Sequence, residues 1–192
     1  MHDVGTTRHD QILTAALSVF GRHGYRRTSM ELIARAAGVS RPALYQRFSG
    51  KEDVFRAMSA RMLDGVLDAA TMAGSADAPV ADRLYDVLSV KVEFFVGTIE
   101  AEFRREMLAD AASVAGDVAT SFNERFTALI EDTLASSAEL DLLGDPLPAS
   151  DVAVLLLAAV AGIMQEEPEP AVLYPRLRQL VTLTVSGLSS RR

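Results

Sequence analysis

The clearest chemistry in this sequence lies in one short stretch, where Arg41, Pro42, Ala43, Tyr45, Gln46 and Arg47 surround a single leucine, Leu44. An arginine can fork to guanine, a glutamine can pair with adenine, and an alanine methyl can rest against a thymine methyl. Tyr45, Lys51 and the hydroxyls of Thr28 and Ser29 suit phosphate oxygens, as do amides at the start of a helix. Leu44 and Phe48 stand at i and i+4, so on a helix they share an inward face and leave the polar residues outside. A plain solvated surface is the competing explanation for Arg41, Gln46 and Arg47, and a cap on a small core is the competing one for Tyr45.

Charge favours a polyanionic partner at this end only. The whole chain has a formal net charge of −7. Residues 1–56 nevertheless carry nine Lys/Arg against five Asp/Glu, and the remainder ten against 21. A basic head on an acidic body meets nucleic acid with the head.

Other chemistries have little to stand on. The absence of cysteine removes a disulfide framework, a thiolate metal site and a cysteine nucleophile. His2, His9 and His23 lack the i, i+3 or i+4 spacing that sets two ligands on one helix face, so no metal is expected. No Gly-rich phosphate loop or nucleophile elbow occurs, and an enzyme is not expected, nor any cofactor. The apolar run from Val152 to Met164 is shorter than the roughly 18 to 20 residues of a membrane helix. A cytoplasmic protein with no membrane partner is the expectation.

The elements that must position these side chains are helices. The periodicity predicts an all-α chain of about nine helices, with no alternation that reads as strand. Ile12, Leu13, Ala16, Leu17 and Phe20 form the first stripe, closed by Gly21 and Gly24. Thr28-Ser29-Met30-Glu31 reads as a capping box for a short second helix that Gly38 stops. Ser40 caps a third with Pro42 in its first turn, and Ser49 to Glu52 reads as a second capping box, opening a long fourth helix. Ala34, Gly38, Ile33, Val39 and Leu44 fit the tight bend and miniature core of a helix-turn-helix. Further stripes follow in Leu84–Phe95, Phe103–Leu108, Phe122–Leu134, Val152–Met164 and Leu173–Leu188, with loops at 74–79, 136–148 and 166–170.

From Phe20 through Gly24-Tyr25, Thr28-Ser29-Met30, Ile33-Ala34, Ala37-Gly38-Val39-Ser40, Leu44-Tyr45, Phe48 and Lys51-Glu52 to Phe55, the sequence resembles the amino-terminal signature of the TetR family of transcriptional regulators. The resemblance runs without a gap over residues 8–56. It implies a helix-turn-helix DNA-binding domain over 1–50 and a bundle for ligand binding and dimerisation over 51–192. It also implies a homodimer on palindromic double-stranded DNA, a repressor released by a small-molecule effector. Thr28, Ser29 and Lys51 would touch phosphates, and Arg41, Pro42, Ala43, Tyr45, Gln46 and Arg47 would line the groove. Ala43 stands where many relatives have a hydroxyl or glycine, which favours packing on a thymine methyl there.

In the body, Met62, Phe95, Phe103, Met107, Phe122 and Phe126 are large or adaptable apolar residues that suit an apolar or aromatic effector. Lys91 is out of place in an apolar stripe, either paired and snorkelling or an anchor for an anionic ligand. The helix after Ser150 is apolar nearly all round, so one covered face is too few for it. With the last helix it would form a four-helix interface between two subunits, through Val152, Leu155, Leu156, Ala159, Ile163, Leu177, Leu180 and Thr184.

Overall fold

The computed structural model describes residues 7–97, 112–138, 140, 147–165 and 169–189. Within them run eight helices: α1 (Arg8–Arg27), α2 (Met30–Ala36), α3 (Arg41–Tyr45), α4 (Lys51–Gly74), α5 (Val80–Gly97), α6 (Gly116–Ala135), α7 (Ala149–Gln165) and α8 (Pro170–Leu188). A ninth helical segment covers 112–114. The only pairing of strand type among the described residues is an isolated bridge between Leu140 and Ser189. No described helix is long and apolar enough to cross a membrane. The chain divides into two compact units, Met1–Asp64 with Ile99–Thr120, and Gly65–Thr98 with Ser121–Arg192.

The first unit is built on the aromatic and aliphatic stripes of four helices. Ile12, Ala16 and Phe20 from α1, Ile33 and Ala34 from α2, Leu44 from α3 and Val54 and Phe55 from α4 are all buried. Phe20, Tyr25 and Phe55 meet with ring centres 5.0 to 5.8 Å apart. Ala115 is buried in the same core, with Val114 and Val118 packed against it. Arg56 fixes this later segment: its guanidinium donates to the Val114 carbonyl at 3.0 Å and to the Asp117 carboxylate at 2.5 Å. The unit therefore takes in residues from well beyond position 50.

Local chemistry sets where the head helices stop and start. Gly24 breaks α1 at φ 72°, ψ 164°, a conformation open in practice only to glycine, whereas Gly21 remains helical. Gly38 ends α2 at φ 64°, and the Val39 amide reaches back to the Ala34 carbonyl at 3.0 Å. Two caps differ from expectation. Ser29, not Thr28, caps α2 and accepts from the Leu32 amide, because the Thr28 hydroxyl turns back to the Gly24 carbonyl at 2.7 Å. At α4 the Ser49 amide donates to Asp53 rather than Glu52, since the helix begins at Lys51 and Asp53 is the third residue after Gly50.

The second unit packs Leu84, Val87, Leu88 and Val92 of α5, Phe126, Ile130 and Leu134 of α6, and Leu173, Leu177 and Val181 of α8 as buried core. α8 lies against both α5 and α7. Arg178 joins α8 to α5, stacking 3.5 Å above the Tyr85 ring and donating to Asp82 at 2.8 Å.

Candidate nucleic-acid interface

α3 has one buried side chain and an outward polar face. Leu44 is fully enclosed, while Arg41, Pro42, Gln46 and Arg47 are exposed and Ala43 is half-buried. Tyr45 is 44% exposed, which sets it on the outer face and not over the small core. The Arg41 guanidinium lies 5.5 Å from the Tyr45 ring centre, one turn apart on the same face. Ser40 accepts from the Ala43 amide, and Pro42 in the first turn costs no hydrogen bond. Short as it is, α3 is held rigidly by its cap and by Leu44 within the core.

The three expected phosphate contacts separate. Ser29 is exposed and, as a cap, uses its oxygen as acceptor for the Leu32 amide, leaving its hydroxyl proton to donate outward. Thr28 is only 3% exposed. Its hydroxyl donates to Gly24 and its amide to the Tyr25 carbonyl, so neither donor faces a partner outside the chain. Lys51 is also engaged within the head. Its ammonium donates to the carbonyls of Tyr25 (2.9 Å), Arg26 (3.2 Å) and Thr28 (3.2 Å), and sits 4.5 Å from the Tyr25 ring centre. An ammonium has three donors, and all three are used. Lys51 closes the carboxyl end of α1, where the kink at Gly24 leaves carbonyls that a helix would otherwise satisfy.

The residues expected to form an effector pocket are also sorted by the fold. Met62 packs against the core of the first unit. Phe103 and Met107 lie outside the described residues. Lys91, Phe95, Phe122 and Phe126 do come together in the second unit. The Lys91 ammonium stands 4.5 Å from the centre of Phe122, 4.7 Å from Phe126 and 5.7 Å from Phe95, and donates to Asn123 Oδ1 at 3.1 Å. Asn123 carries no signal in the sequence beyond its place beside Phe122 on α6.

Burial lowers the Lys91 pKa to about 8 from its ordinary value near 10.5. The folded state therefore bears the cost of a desolvated charge below pH 8 and sheds it, with the proton, between pH 8 and 10.5. Lys91→Met should accordingly raise stability at pH 7 by about 2 kcal/mol, an advantage that fades towards pH 10.5. Paired denaturant titrations of the two proteins across that range measure the difference.

Of the expected dimer residues, Val152, Leu156 and Leu177 are buried within their own chain. Val152, Leu155, Leu156, Ala159, Leu180 and Thr184 line an open apolar groove of about 390 Å³ between α7 and α8, together with Leu147, Leu183, Gly187 and Leu188. Leu177 and Ile163 are not among its walls. The most exposed apolar side chains beside it are Leu183 (74%) and Leu155 (59%), with Val154 at 57%. Leu183 follows Leu180 by three residues, which sets both on the same face of α8.

Comparison with known proteins places the head. Residues 12–58 match the model of the bacterial regulatory proteins of the tetR family, a span that includes α2, α3, their turn and the start of α4. Over those residues the chain is similar to the tetR family. The chain is 43% identical over 60 residues to the HTH-type transcriptional activator FasR of Mycolicibacterium smegmatis, covering 31% of the chain and 27% of that relative. The first curated relatives are thus matched over only about a quarter of their length. The HTH-type transcriptional regulator AcrR of Shigella flexneri is matched more widely, 27% identical over 80% of this chain and 75% of its own. In fold, the chain resembles SmeT, the repressor of the Stenotrophomonas maltophilia multidrug efflux pump SmeDEF, with a TM-score of 0.67 and 22% identity over 98% of this chain and 93% of that one. SmeT has also been seen in complex with triclosan, with a TM-score of 0.68 and 21% identity over 95% and 92% of the two chains.

Proposed function

We propose that this chain is a DNA-binding transcriptional regulator that acts as a homodimer in the cytoplasm, a repressor released from a near-palindromic operator by a small-molecule effector. It is not an enzyme on this reading. One observation carries it: Arg41 and Tyr45 on α3, with Gln46 and Arg47 in the turn that closes it, form an outward face locked in place by Leu44, inside the stretch that matches the family model. Arg41, Gln46 and Arg47 read base edges, Ala43 and Pro42 pack along the groove, and the Ser29 hydroxyl donates to a phosphate. Thr28 and Lys51 support this face from within.

The exposed apolar groove of α7 and α8 is the surface for a second copy. A two-fold dimer sets two α3 helices about one DNA turn (~34 Å), or a multiple of it, apart. Effector control runs through α6. The same helix carries Phe122, Asn123 and Phe126 and begins at Gly116, next to the Asp117 that pairs with Arg56 of α4. A ligand among those rings shifts DNA affinity only by its difference in affinity for the two states of the dimer.

Gel-shift titrations at several salt concentrations, on one operator and one scrambled duplex, test the assignment. Arg47→Ala and Arg41→Ala should each cost about 1 to 3 kcal/mol on the operator and much less on the scrambled duplex. Equal losses on both duplexes would remove the base-reading role.

A further inference from the structure

Arg41 and Tyr45 form a pair in which the cation is held and its donors are not. Lys51, Lys91 and Arg178 also stand over aromatic rings, but each spends hydrogen bonds inside the chain. Their acceptors are the carbonyls of Tyr25, Arg26 and Thr28 for Lys51, Asn123 for Lys91 and Asp82 for Arg178. The Arg41 guanidinium lies 5.5 Å from the centre of the Tyr45 ring and donates to no described residue. The ring attracts the charge through its face, so the N–H fork, with five donors, stays open to a base edge. The backbone beneath is fixed as well. Arg41 opens α3 behind the Ser40 cap, and Tyr45 closes it beside the enclosed Leu44. Only the long Arg41 side chain is left to move, and Tyr45 is the described group that restrains it. Arg47, by contrast, lies over no ring of the described residues.

We propose that Tyr45 is a positioning residue for specificity: its ring, not its hydroxyl, aims the Arg41 guanidinium at one base edge of the groove. This rests on the DNA-binding regulator proposed above and sets Tyr45 apart from a phosphate contact. An unrestrained arginine loses rotamer freedom when it forks to a base, and a ring that already confines it lowers that cost. Entry into the groove strips water from both groups, which strengthens their attraction as the base is read. At 44% exposure Tyr45 has more than half its surface covered by its own chain, so the platform stands before DNA arrives. The two arginines then differ: Arg41 discriminates through Tyr45, and Arg47 does so without it.

The test uses the full-length protein and the duplex it enriches from a random pool. Gel shifts on single-base-pair variants of that duplex, with Arg41→Ala and with Arg47→Ala, identify the pair that each arginine reads. Tyr45→Leu should lower discrimination at the Arg41 pair about three- to tenfold and leave the Arg47 pair within about twofold. Tyr45→Phe keeps the ring without the hydroxyl and should match the unaltered protein at both pairs within about twofold. Adding Tyr45→Leu to Arg41→Ala should cost no further discrimination at that pair. Thermal melts check the fold, and Tyr45→Met replaces the leucine variant if that one melts early. Equal losses in Tyr45→Phe and Tyr45→Leu would overturn the proposal in favour of the hydroxyl. Equal relaxation at both pairs would reduce Tyr45 to support for the helix, and additive losses, or an Arg41→Ala variant that relaxes no pair, would also overturn it. Unchanged selectivity in Tyr45→Leu, with specific binding intact, rejects the platform alone. A pool that the unaltered protein leaves unenriched rejects the regulator, and the platform with it.

Discussion

Leu155→Glu together with Leu183→Glu should convert the protein to a monomer that keeps its fold and loses specific DNA binding. Both side chains already face solvent within one chain, at 59% and 74% exposure, so the charges add little cost to the folded subunit. Against a second copy the same residues would be covered, and each fully buried leucine contributes roughly 1.5 to 3 kcal/mol. Two-fold symmetry doubles every change, so four charges enter one interface. Holding one α3 in the groove no longer delivers the other, and operator affinity should fall by at least ~100-fold. Sedimentation velocity reads the mass and a gel shift reads the affinity. A double variant that stays dimeric would move the subunit interface away from α7 and α8.

The second large effect is at Lys51. Lys51→Ala should lower stability by about 2 to 4 kcal/mol, because it strands three backbone carbonyls near the end of α1 and removes the cation over Tyr25. Thermal melts and urea titrations record it. Operator affinity falls as well, since α3 is positioned by the core that this clamp closes. The slope of affinity against salt should nevertheless be unchanged, because no ion is released on behalf of an ammonium already committed to carbonyls. A slope reduced by about one would assign Lys51 to a phosphate instead.

How much of this was legible in the sequence follows the range of the forces involved. Gly38, Ser40 and Pro42 act through their own backbone or over one turn, and each ends or starts a helix as its residue type predicts. The inward Leu44 and outward Arg41, Gln46 and Arg47 follow from helical spacing alone. Thr28 and Lys51 are different. Both types donate well to phosphate, but the kink at Gly24 frees carbonyls nearby, and these claim the donors first. That competition exists only once α1 and α4 have packed together.

The body shows the same division. Apolar periodicity announces that α7 and α8 are covered, without separating the side that meets its own bundle from the side left open. Leu177 therefore stood beside Leu180 in the sequence, yet one is core and the other lines the groove. Lys91 was conspicuous as a charge in an apolar stripe. Its three aromatic neighbours were legible one by one, but their convergence depends on α5 lying against α6, and Asn123 carried no signal of its own. The insertion of Ala115 into the head core has no forewarning either, since an alanine just before a glycine looks like any other.

Selection of bound duplexes from a random pool by the full-length protein bears most directly on the outward face of α3. The enriched sequences should share an inverted repeat with half-site centres one helical turn (~34 Å) or a multiple of it apart, and Arg47→Ala should relax the same base in each half. A pool that stays unenriched, or a consensus indifferent to substitution at positions 41, 46 and 47, would contradict it.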